Sequence, residues 1–300
     1  MKGDGMHISR SARTLLPAVV ILVAAITLMG CASMCGTGAD VTKGTVLEYR
    51  MSEGDPISYE FLADNTQMLD VGGQSVEINS SEMMLFSVTP KGTKDGDQAI
   101  GITIDDLYVV ATAAGTSSES DADHVIGQSF DMTVSKSGVE GGLPEPDLME
   151  YMVGNEGPKS AITGFGVIFP DLPDGPIEVG GTWPTTVEVV EQNDNSNVAV
   201  TIEAVNTLEG FETINGLECA KISAVLTGTI EGGGTQGGAE WTMSSTMDGG
   251  GVWYFAHERG IFVSDSTEGT ADGTITVKAP DGEQTLPVTR NFTMLAKLVQ

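Results

Sequence analysis

The sequence predicts an all-β protein: one large curved antiparallel sheet, a half-barrel or a duplicated β unit, with one short helix in a proline-rich connection. Apolar and polar residues alternate with period two along most of the chain. Gly-, Asn- and Asp-containing turn signals punctuate the alternating runs. No stretch of ten or more residues has the apolar spacing of an amphipathic helix, so the crossovers that parallel strands need are missing.

The first element is residues 1–30, which read as an export signal. Lys2, Arg10 and Arg13 form a cationic leader, and an apolar run from Leu15 to Met29 follows. That run has 15 residues, short of the ~20 that cross a bilayer as a permanent helix. It ends in Leu28-Met29-Gly30-Cys31, which resembles the lipobox of bacterial lipoproteins. The resemblance implies signal-peptidase recognition through Leu28 and Gly30, cleavage before Cys31, and lipidation of Cys31. Two or three acyl chains there would give stable anchoring, which one does not. Ala32 after the cysteine implies, by the same resemblance, sorting to an outer membrane where the cell has one. The alternatives are a soluble secreted protein cleaved nearby and an uncleaved anchor.

Residues 31–44 are small and polar, as expected of a lipidated tether. Residues 45–140 form a first β-rich half. Leu47, Tyr49 and Met51 alternate with polar neighbours, as do Ile57, Tyr59 and Phe61, then Ile100, Ile102 and Ile104, then Phe130, Met132 and Val134. Residues 141–176 hold six of the 12 prolines and read as a connection, with its short helix at Asp147–Val153 between Pro146 and Gly154. Residues 177–300 form the second β-rich half, with runs at Val198–Ile202, Trp241–Met243, Trp253–Phe255 and Phe292–Leu298. The two halves are expected to make one domain. Turns are expected at Gly72-Gly73, Asp95-Gly96, Ser137-Gly138, Asn215-Gly216, Arg259-Gly260, Asp272-Gly273 and Asp281-Gly282, and a flexible hairpin tip over Glu231–Gly238. One apolar and one polar face per strand is the pattern of a sheet with one side buried and one side wet.

The stretches LPDGPIEVGGTW (172–183) and GVWYFAHERGIF (251–262), together with the lipobox, resemble bacterial envelope lipoproteins. Such chains look like the curved half-barrel sheets of periplasmic lipid and lipoprotein carriers, and the resemblance spans about residues 43–298. It implies a concave apolar face that shelters an acyl chain, a lipid or a lipoprotein. The partners expected are therefore the membrane, through the anchor on Cys31, and a hydrophobic ligand or an envelope protein. The alternative is a structural or interaction protein with a closed core and no ligand.

The chain carries 42 acidic and 14 basic residues, a net charge of −28. That disfavours nucleic acid, because each phosphate contact needs a cation. Loss of Lys2, Arg10, Arg13 and Asp4 with the signal would leave 11 bases and 41 acids, a net of −30. Like charge at that level keeps a domain soluble. Only Cys31, Cys35 and Cys219 are present. A lipid on Cys31 leaves Cys35 and Cys219, which either pair in an oxidising compartment or stay apart, with Cys219 a small strand residue. No G-x-S-x-G elbow, P-loop or H-E-x-x-H occurs, so no catalytic residues, metal or cofactor are expected. His124, in SSESDADH, reads as part of a solvated loop, and His257 as a hairpin end. Asp95, Asp97, Asp105 and Asp106 offer oxygen ligands without the spacing of an EF-hand. Met51, Met68, Met132, Met243, Met247 and Met294 are expected on apolar strand faces, either as an adaptable binding surface or as ordinary core.

Overall fold

The computed structural model describes residues 44–299 apart from 52, 53, 55, 72, 155–157, 194, 237 and 281. The expected signal peptide and most of the tether, with Leu28, Gly30, Cys31 and Cys35, lie outside the described residues. Six strands precede the connection: β1 (Ile57–Val71), β2 (Gln74–Lys94), β3 (Asp97–Ala113), β4 (Thr116–Glu119), β5 (Ser129–Val134) and β6 (Glu140–Gly141). The connection holds β7 (Glu150–Tyr151) and β8 (Lys159–Ser160). Six long strands follow: β9 (Thr182–Asn193), β10 (Ser196–Ile214), β11 (Leu217–Gln236), β12 (Ala239–Ala256), β13 (Ile261–Ala279) and β14 (Gly282–Val299).

The chain is all-β. One antiparallel sheet of 12 strands runs β6-β5-β3-β2-β1-β14-β13-β12-β11-β10-β9, with β4 beside β3. Both halves share it, because β14 returns to pair with β1 from Ser58↔Val299 to Leu69↔Val288. Successive strands meet through tight turns. Asp95 and Asn215 have φ of 55° and 51° and each is followed by a positive-φ glycine, the backbone that a two-residue hairpin of matching twist requires.

Alternation sorts the side chains as expected. Tyr59 and Phe61 on β1, Ile100, Ile102 and Ile104 on β3, Trp241 and Met243 on β12, and Met294, Ala296 and Leu298 on β14 all face a common buried interior. The other face is wet: Glu188, Glu203, Asp248, Glu268 and Asp272 are exposed on it. Curvature follows from the charges inside. Glu82 on β2 and Glu191 on β9 lie seven strands apart in the sheet order, about 34 Å if the sheet were flat. Each nevertheless feels the Lys159 charge, and the Glu191 charge makes the Glu82 carboxyl a weaker acid. The sheet therefore curls until its two flanks face each other.

Inward glycines permit that curl. A Cβ on Gly269 would lie 2.4 Å from the Phe292 ring, and one on Gly273 would lie 2.2 Å from Ser244 O and Ser245 Oγ. This corrects the turn expected at Asp272-Gly273, which lies inside β13. Here glycine serves close approach of backbones at a bend, the other use of glycine in a strand. The hairpin tip expected over Glu231–Gly238 is likewise shorter, since Gly232, Gly233 and Gly234 pair with β10 and β12. Substituting Gly273 by Ala is expected to cost about 2 kcal/mol by overpacking, read as a lower urea midpoint with an unchanged slope.

The connection departs furthest from expectation. Its short helix is a 3-10 turn at Pro146–Met149 followed by β7. Met149, Tyr151 and Val153 are all buried, a two-residue period that extended chain satisfies and a helix would break. The segment does not hang outside the sheet. It crosses from β6 at one sheet edge to β9 at the other and inserts its apolar residues into the concave face. Phe165, fully buried, meets Phe86 and Phe130 edge-on at centroid distances of 5.0 and 5.2 Å. Phe169 meets Tyr49 at 5.8 Å, and Tyr49 meets Phe255 at 5.1 Å. Residues 46–51, expected as a strand, run extended but join the fold through single contacts: Tyr49 N–H to Lys136 O and Arg50 N–H to Gly260 O. Of the methionines singled out, Met68 is the exception, half-buried on the outward side of β1. The buried ones are core packing.

Candidate functional site

Within the apolar interior lies a layer of polar side chains. Each is in phase with the inward residues of its own strand: Gln67 on β1, Ser80 and Glu82 on β2, Glu191 on β9 and Arg290 on β14. Gln67 and Arg290 are register partners, and Arg290 Nη2–H donates to Gln67 Oε1 at 2.9 Å. Gln67 is 2% exposed, Ser80 4%, Arg290 7% and Glu82 9%. Burial pushes the Glu82 carboxyl up to about 7, with Lys159 opposing and Glu191 adding to the rise. Burial also raises Glu191, against the pull of Lys159 and Arg290. It lowers Arg290 to about 10, with Glu191 acting the other way. Lys159 on β8 thus lies close enough to act on acids from both flanks of the sheet, and Arg290 on Glu191. Gln67 Nε2 and Ser80 Oγ have no hydrogen-bond partner. They sit on diagonal inward positions of paired strands.

A third buried acid, Asp265 on β13, accepts hydrogen bonds from Thr267 Oγ1 at 3.1 and 3.0 Å and is pushed up to about 7 by burial. The sequence carried a signal for all of these groups. Glu82 falls in phase with Ile78, Met84 and Phe86, and Arg290 with Val288 and Met294, so each is a charge on an apolar stripe.

The residues singled out from sequence lie elsewhere. Cys219 is fully buried, its thiol donates to Leu217 O at 3.5 Å, and burial raises its pKa. Cys35, with which the sequence leaves a pairing open, is outside the described residues. His124 joins its turn to β7 through ring contacts with Asp121 O at 2.9 Å and Glu150 O at 2.7 Å. The His257 ring lies 5.1 Å from that of Phe211. Asp105 accepts from Ser87 Oγ at 2.5 Å beside a bulge in the β2–β3 pairing, and Asp95 forms the turn. Among the described residues no three His, Cys, Asp or Glu side chains converge as a metal cluster, and no helix is long and apolar enough to cross a membrane.

No protein-family model matches the chain, and no curated protein matches it. Among solved structures it is similar to Pseudomonas aeruginosa OccK9 (OpdG), with 8% identity over 83% of this chain and 100% of that one and a TM-score of 0.22. Acinetobacter baumannii OccAB4 aligns at 8% identity over 82% and 99% with a TM-score of 0.20. An outer membrane channel from Pseudomonas putida F1 aligns at 8% identity over 87% and 100% with a TM-score of 0.20. Scores of this size carry no information on function. Outward residues Thr186, Glu203, Thr227 and Asp248 form one polar row across β9 to β12, with exposed Val205 and Val225 paired beside it. What the fold and its interior define is a self-filled, curled antiparallel sheet with a wet acidic exterior.

Proposed function

We propose that the protein is a non-enzymatic, lipid-anchored extracytoplasmic lipoprotein that presents its acidic outer face to other envelope components. The anchor is Cys31, at the end of a leader that fits export and lipidation. The observation that carries the rest is the burial of the connection's apolar residues in the common core. Phe165, Phe169, Ile162 and Leu172 of the connection occupy the apolar surface on which a lipid carrier would seat an acyl chain. An acyl chain would have to displace aromatic contacts already made there, and each such pair adds about 0.5–1.5 kcal/mol beyond its area. Of the two readings that the sequence leaves open, the closed-core interaction protein is therefore favoured over the carrier.

Mass spectrometry of the purified amino terminus, native mass spectrometry without detergent and cross-linking in cells test this together. The expected results are an acylated Cys31, no lipid bound beyond the anchor, and cross-links to envelope proteins. An unmodified Cys31 or a different start overturns the anchor. A stoichiometric second lipid overturns the closed core.

A further inference from the structure

Where the end of the connection meets the β5–β6 turn, the protein buries two acid side chains, Glu140 and Asp171. Glu140 is held by main-chain donors: Phe169 N–H lies 2.9 Å from Oε1, and the N–H groups of Ile168 and of Glu140 itself also act on the carboxylate. Beside it, Asp171 is 3% exposed, and neither Oδ1 nor Oδ2 has a hydrogen-bond partner. Three hydrogen bonds hold the backbone around Asp171. Its carbonyl accepts Trp183 Nε1–H at 3.0 Å, Pro170 O accepts the Tyr49 hydroxyl at 2.9 Å, and Leu172 N–H donates to Ser137 O at 2.6 Å. The main chain that carries Asp171 is thus fixed in place. The charges that couple to this pair are its own and that of Asp174, all of one sign.

A buried carboxylate without a donor costs several kcal/mol unless a proton or a cation relieves it. We propose that Asp171 and Glu140 form a calcium site that clips the end of the connection to the β5–β6 turn. Hard carboxylate oxygens without His or Cys suit calcium, which accepts irregular sets of side-chain, main-chain and water oxygens. Two carboxylates fit a site completed by main-chain and water oxygens, in keeping with the lack of a three-side-chain cluster. A chain of net charge −28 also concentrates cations around itself. The site stands independently of the lipid anchor.

The test uses the full chain, stripped with EDTA and melted at about pH 9, above the about 7 and about 8 to which burial pushes Asp171 and Glu140. Calcium chloride is compared with magnesium chloride and with sodium chloride of equal ionic strength. Calcium is expected to raise the melting temperature by about 5 °C or more, saturating in the ~0.1–1 mM range of extracellular modules. Calorimetric titration should count one ion per chain. Asp171→Asn should abolish the rise while melting no lower than the stripped wild type, and Asp95→Asn, in an exposed turn, should keep it. In the unmutated chain the rise should vanish near pH 5, where a proton takes the ion's place. No rise, an equal rise with sodium chloride, or a rise that survives Asp171→Asn or about pH 5 overturns the site and leaves Asp171 as a neutral acid.

Discussion

Melting temperature in EDTA is expected to fall steadily as pH rises from about 5 to about 8.5. Four buried carboxyls set the direction. Burial holds Glu82, Asp171 and Asp265 at about 7 and Glu140 at about 8, whereas the same groups in the unfolded chain titrate near 4. Between those values the folded protein binds protons that the unfolded chain has released. Their stabilisation is complete below about pH 4 and is lost as pH rises through 7 to 8. One such proton changes stability by about 1.4 kcal/mol per pH unit. Several together should lower the melting temperature by more than about 5 °C over this range, and mutual repulsion of the surface carboxylates acts in the same direction. Asp265→Asn should flatten the profile by removing one titrating group while leaving a hydrogen-bonding side chain beside Thr267. A flat or rising profile would show that the interior carboxyls are ionised and paired.

Phe165→Ala is expected to be the most damaging single truncation in the connection. Its ring is fully buried and touches both β2, through Phe86, and β5, through Phe130. Loss of such a ring costs about 3–5 kcal/mol, a drop of roughly 10 °C in a domain of this size. The inner face beneath would open, so binding of a hydrophobic dye should rise before unfolding. Phe165→Leu should lose less than half as much. If Phe165→Ala melts within about 2 °C of the parent, the connection is a surface loop and the case for a closed core fails with it.

Strand identity and facing were legible in the sequence, because the pleat makes alternation a local property. Tyr59 and Phe61, Ile100 to Ile104, and Met294 to Leu298 all face inward as their spacing implies. Hairpins at Asp95-Gly96 and Asn215-Gly216 were equally legible, since few residue pairs tolerate two positive φ values in succession. Gly273 was not: a turn glycine and a bend glycine look the same until the neighbouring strand supplies Ser244 and Ser245. The helix expected at Asp147–Val153 failed because proline and glycine boundaries say where a segment starts and stops, not whether its side chains repeat at 2 or 3.6 residues.

The polar interior was half legible. Gln67, Glu82, Glu191 and Arg290 could be placed on inward faces by counting in twos, but not brought together. Their meeting depends on how far the sheet curls, a sum of small twists over seven strands with glycines at the bends. The connection is the clearest case. Composition alone marked residues 141–176 as distinct and proline-rich, and an excursion outside the sheet would satisfy that reading as well as a plug within it. The sequence by itself determined the class, the faces and the acidity of this protein, because each is set by neighbours along the chain. Tertiary structure alone decided that the concave face is filled by its own residues and that Asp171 loses its water. Burial of a group depends on what lies across from it, and those residues are far away in sequence.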